Sequence, residues 1–154
     1  MRRSRAALGA AAALVAAVGC GSGEVKEAFY LSLQAARDDG AVSSGRVPSF
    51  LPPSATSLHE VHDLDSGRSL LFFTFSAGDL STLVAPCQAV SESDVPPPPE
   101  GLGKTAWWPR DLLTEQRGGL RLFRCADPSA PAPGPSWLGV DVARGLGYHW
   151  RPGS

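Results

Sequence analysis

The ten residues from Arg68 to Ala77 include Leu70, Leu71, Phe72, Phe73 and Phe75. Successive side chains of an extended chain point to opposite faces, so this block is apolar on both. Such a strand must be covered on each side, which predicts a central position in a sheet with material packed above and below it. Asp65-Ser66-Gly67 supplies turn chemistry just before it, and Leu58–Leu64 reads as its hairpin partner. Gly78-Asp79 ends the block, and Asp79 is placed to cap a helix running to about Ala85, where Pro86 follows.

Three further strands are expected late in the chain. Gly118–Cys125 is one; Trp137–Val142 and Leu146–Trp150 form a hairpin through Ala143–Gly145. Helical readings fall on Glu24–Asp39, where Val25, Phe29, Leu33 and Ala36 share a face and Gly40 is a natural stop, and on Pro109–Glu115, with proline tolerated at the first position. Proline-rich loops separate these elements, including the tandem run Pro96–Pro99. The elements do not alternate as a parallel fold would. The expected architecture is therefore α+β: a single small domain, an antiparallel sheet of about five strands with two or three helices, over residues 24–154.

Ahead of that domain, Arg2, Arg3 and Arg5 precede an uncharged run rich in Ala, Leu and Val from Ala6 to Gly19. A basic start, a short apolar stretch and small residues at its end make a signal peptide over 1–19. A bilayer span needs roughly 20 apolar residues, so a permanent transmembrane helix fits less well. The run ends in Ala17-Val18-Gly19-Cys20, which resembles the lipobox of bacterial lipoproteins, with Ala17 in place of the usual leucine. The resemblance implies that Cys20 carries lipid and becomes the N-terminus, with residues 20–23 as a short tether. An ordinary cleavage site after Ala-Val-Gly is the alternative.

The three cysteines bear on that choice. An exported protein with three thiols has an odd one out; with Cys20 lipidated, Cys87 and Cys125 are left to pair. The formal charge is −1, and becomes about −4 once the leader arginines are gone, which points away from nucleic acid as a partner.

Few residues suggest chemistry. His59-Glu60-Val61-His62-Asp63 is dense in zinc-ligating types. On a strand, however, His59 and His62 face apart while Glu60 joins His62; only on a helix would the two histidines meet. Asp63, Asp65 and Gly67 faintly suggest a calcium loop, but the closing glutamate is missing. Gly103-Lys104-Thr105 resembles the end of a phosphate-binding loop, yet Pro98 stands where that motif needs glycine. His149, between Tyr148 and Trp150, has no identifiable acid or nucleophile partner. No catalytic residue, metal site or cofactor is expected. Trp107 and Trp108 are candidates for partner contact, because tryptophan is a common interface anchor, although core packing competes for at least one of them.

Phe50-Leu51-Pro52-Pro53-Ser54-Ala55-Thr56, His62-Asp63-Leu64-Asp65, Trp107-Trp108-Pro109 and Gly147-Tyr148-His149-Trp150 together resemble small bacterial envelope proteins. That resemblance implies no activity. The expectation is a non-enzymatic envelope lipoprotein, held to a membrane by its lipid, whose domain binds an envelope protein partner or serves a structural role. The competing reading is a hydrolase or metal-dependent enzyme built on His59, His62 and Asp63.

Overall fold

The computed structural model describes residues 24–103, 105–115, 119–127, 129–131 and 134–153. The leader, Cys20 and the tether to residue 23 lie outside the described residues, as does Lys104. In chain order the elements are β1 (Val25–Ser32), α1 (Leu33–Asp38), β2 (Thr56–Asp63), β3 (Ser69–Thr74), α2 (Leu80–Leu83), β4 (Cys87–Ala89), α3 (Leu112–Glu115), β5 (Arg121–Cys125), β6 (Ser136–Asp141) and β7 (Leu146–Arg151). The seven strands form one sheet in the order β1-β2-β3-β7-β6-β5-β4, and every neighbouring pair is antiparallel.

This corrects the expected α+β class. Among the described residues the protein is mainly β, with seven strands where about five were expected and only short helices. The two additional strands were hidden for different reasons. Val25–Ser32 sits inside the stretch read as one helix from Glu24 to Asp39. Its Glu, Lys, Ala and Leu content is compatible with a helix, but pairing along β2, from Val25↔Asp63 to Ser32↔Thr56, overrides that local preference. The helix starts only at Leu33, where the Ser32 hydroxyl accepts a hydrogen bond from the Ala35 N–H at 3.2 Å. It stops at the expected place: Gly40 adopts φ +74°, and the N–H groups of Gly40 and Ala41 close back onto Arg37 and Ala36. The second additional strand, β4, has only three residues and no hydrophobic pattern long enough to read.

Side-chain alternation divides the sheet into two packed faces. Tyr30, Leu58, Leu71, Phe73, Phe123, Leu138 and Val140 fill the first, under α1, the 41–55 loop and Leu83 of α2. Val61, Leu70, Tyr148 and Trp150 fill the second, under Val95, Leu102 and Leu112 of the proline-rich 90–115 segment. Coverage of both faces is what the apolar block of β3 demands. The Trp150 indole N–H donates to the Pro96 carbonyl at 3.1 Å, fastening the proline run to the sheet. On the opposite face, Ser49 donates through its N–H and its hydroxyl to the Asp127 carboxylate, at 2.8 and 2.7 Å, fastening the 41–55 loop near the end of β5.

The β3–β7 pair requires one close approach. A Cβ on Gly147 would collide with the end of the Phe73 ring, which is completely buried. Only glycine leaves room for the ring there.

Cys87 and Cys125 face each other directly across β4 and β5, with Cα atoms 4.1 Å apart, and are joined as a disulfide. The bond therefore links two adjacent strands. It spans a sequence separation of 38. A loop of this size contributes roughly 4 kcal/mol in the chain-entropy description. Replacing both cysteines by alanine should lower the unfolding free energy by about that amount in urea titrations. A loss well below 1 kcal/mol would show that the edge strand holds without its staple.

Candidate functional site

The residues singled out in the sequence do not converge. His59 and His62 lie on opposite faces of β2, as strand geometry requires. His59 sits on the aromatic face, stacked on Trp107 at 5.5 Å and close to Phe29 and Phe72. His62 is buried on the other face, its Nδ1 2.9 Å from Oε2 of Glu60. Asp63 belongs to the β2–β3 turn. Its carboxylate accepts hydrogen bonds from the Ser66 hydroxyl at 2.8 Å, from Arg68 at 3.0 Å and from the N–H groups of Asp65 and Ser66. The Ser66 and Arg68 donors hold this acid far below the usual carboxylate range. Asp63 is a turn anchor with its oxygens occupied, and the faint calcium-loop pattern is explained by that turn. Among the described residues no group of three or more His, Cys, Asp or Glu could hold a metal ion. The fold therefore does not bring His59, His62 and Asp63 together.

What the fold assembles instead is an ionic cluster around a buried glutamate, which spacing alone did not reveal. Glu60 is 1 % exposed and projects from β2 into the first face. Arg46, from the loop after α1, reaches its Oε1 at 3.0 Å and the Tyr30 hydroxyl at 3.3 Å. Tyr30 in turn donates to Asp39 at 2.7 Å. A carboxylate this deeply buried requires a paired, hydrogen-bonded partner. Burial, with help from the Asp39 bond, pushes the Tyr30 hydroxyl up to about 12, so it remains a donor. The same bond lowers the Asp39 pKa. Every member of this cluster points at another. It fixes the 40–46 loop against the sheet. The alternation of Glu60 and His62 was visible in the sequence; Arg46, which comes from a loop, was not.

His149 lies near Phe50, with ring centres 6.1 Å apart, and its Nε2 has no hydrogen-bond partner among the described residues. Burial, and secondarily the charge of Arg151, push it down to about 3, while Asp127 works weakly the other way. It is a neutral core residue.

The two tryptophans expected to make partner contact lie on the second face. Trp107 and Trp108 are both half-buried and both pack: Trp107 on His59, and Trp108 edge-on against Tyr148 and Trp150. Trp108 also lines a cleft of about 770 Å³. The buried Leu70, the prolines Pro97–Pro99 and the polar Arg110 and Asp111 line it as well. Volumes of this order suit a small ligand or an anchoring side chain with its flanks.

The His149 result gives a pH dependence. Its folded pKa is below that of the unfolded chain, so the unfolded chain takes up the proton first. The stabilisation is complete above about 6.5 and is lost as pH falls toward 3. Unfolding free energy should fall between pH 6.5 and 4.5 by up to about 1.4 kcal/mol per pH unit from this group. His149→Leu should flatten that slope. A variant whose slope matches the parent would remove His149 as its source.

A family model described as the YbbD head domain matches residues 24–74, about a third of the chain, from β1 to the end of β3. The match is consistent with a small bacterial envelope-type protein. No curated protein and no solved structure matches the chain at a significant level.

Proposed function

We propose that this chain is a lipid-tethered module of the bacterial envelope that binds a protein partner through the cleft between Pro97–Pro99 and the Trp108–Asp111 segment. The cleft is the observation that carries the reading. Its lining joins the buried Leu70 and the half-buried Trp108 indole to the exposed, charged Glu100, Arg110 and Asp111. Interface sites commonly combine an aromatic anchor with a polar rim in this way. The proline run forms a stiff wall that loses little freedom on binding.

The envelope location draws support from two sides. The leader and Ala17-Val18-Gly19-Cys20 have the form of a lipoprotein signal. The Cys87–Cys125 bond is of a kind that persists in oxidising compartments. A lipid on Cys20 would provide the attachment to a membrane.

Two measurements test the parts separately. Metabolic labelling with a fatty acid should mark the full-length protein, and the label should disappear in Cys20→Ser; label retained in that variant would rule out the anchor. For the cleft, affinity purification from detergent-solubilised membranes should recover a partner that is reduced about tenfold by Arg110→Glu, a change at an exposed rim position costing on the order of 1.4 kcal/mol. Trp108→Ala should act more strongly, with its effect on folding monitored in parallel. Partner recovery unchanged by both substitutions would place the contact elsewhere.

A further inference from the structure

The two edges of the sheet are built in opposite ways. The β4 edge has three residues, follows Pro86 and is stapled through Cys87. The β1 edge has eight residues, with a sheet neighbour on one side only among the described residues. Its exposed side chains are unusually apolar: Val25 is 38 %, Phe29 51 % and Leu31 74 % exposed. All three lie on one face by strand alternation. A long, regular edge with such residues is a template for pairing with another strand.

The backbone phase is also fixed. The Leu64 N–H donates to the Glu24 carbonyl, so Glu24 and the even-numbered residues after it turn their N–H and C=O groups toward β2. Those of Val25, Glu27, Phe29 and Leu31 point outward.

We infer that β1 pairs antiparallel with β1 of a second copy of this chain, about a two-fold axis at Ala28, joining the two sheets into one. Charge selects this register. Centred on Lys26 or on Glu27, the pairing would set like charges directly opposite each other, which is destabilising. Centred on Phe29, it would leave Val25 without a strand residue opposite. Centred on Ala28, it places Val25 against Leu31 and Lys26 against Tyr30. The small Ala28 side chains meet at the axis, and every outward-facing N–H and C=O from Val25 to Leu31 is used. Glu27 falls opposite Phe29, and its carboxylate already lies against Gly103 of its own chain rather than projecting as a bare charge.

The test uses the full-length protein purified from membranes in detergent. The parent should sediment as a dimer at micromolar concentration; a monomer would overturn the proposal. In the Ala28→Cys variant, mild oxidation should convert the chain to a covalent dimer of twice its mass. Adding Leu31→Pro should abolish that product. The Leu31 N–H points away from β2, so proline there removes a bond only from the new interface and is tolerated on an edge. An unchanged thermal midpoint in the double variant would show that β1 still pairs with β2. Absence of the cross-link in Ala28→Cys, its persistence with Leu31→Pro, or an adduct to a chain of different mass would each overturn the pairing of two copies.

Discussion

The whole sheet depends on one long-range contact, the pairing of β3 with β7. On one side of it, β1, β2 and β3 follow each other in sequence and in space; on the other, β7, β6, β5 and β4 run back in reverse order. Between Thr74 and Leu146, which face each other in the ladder, lies nearly half the chain. Closing so long a loop costs conformational entropy, and nothing local offsets it. The compensation comes from both faces at once: Leu70 opposite Trp150 on one, Phe73 against Gly147 on the other. The match to the YbbD head domain ends at residue 74, the last residue of β3. The matched piece therefore stops at the strand whose outer edge needs β7 to cover it.

The faces joined at this contact differ in character. One holds charge inside the protein, with Arg46 and Glu60 locking a loop against β2. The other is aromatic, and its cover is a proline-rich segment with little regular structure. A covering layer of this kind has few backbone hydrogen bonds to the sheet, so its attachment rests on side chains such as Val95, Leu102, Leu112 and the Trp150–Pro96 bond. That is why the same segment can both seal a core and leave a cleft beside Trp108.

Local chemistry was legible in the sequence wherever a turn specified its neighbours. The β2–β3 hairpin follows from Asp63 to Gly67, and the β6–β7 hairpin from a turn in which Asp141 accepts from the Arg144 N–H at 2.9 Å. The two-faced apolar block was correctly read as interior. β1 was misread because Val25, Phe29, Leu33 and Ala36 satisfy a helical spacing as well as belonging to a strand followed by a helix. Only the presence of β2 decides between the two, and that is a tertiary fact. In the same way Glu60 and His62 were recognised as neighbours through alternation, whereas Arg46, 14 residues earlier, carries no spacing signal at all. Core packing was expected to claim at least one of Trp107 and Trp108; both are half-buried and pack within the aromatic face.

The distribution of tryptophan has an optical consequence. The chain has four, and Trp107, Trp108, Trp137 and Trp150 all belong to the aromatic face. The charged face has none. Intrinsic fluorescence therefore reports on a single layer of the molecule: its emission follows the proline-rich cover as it lifts from the sheet and lets water reach the indoles. Events confined to α1, the 41–55 loop or the Arg46–Glu60 pair are nearly silent in that signal. Comparing it with backbone circular dichroism separates loosening of one face from loss of the sheet, without any label added to the protein.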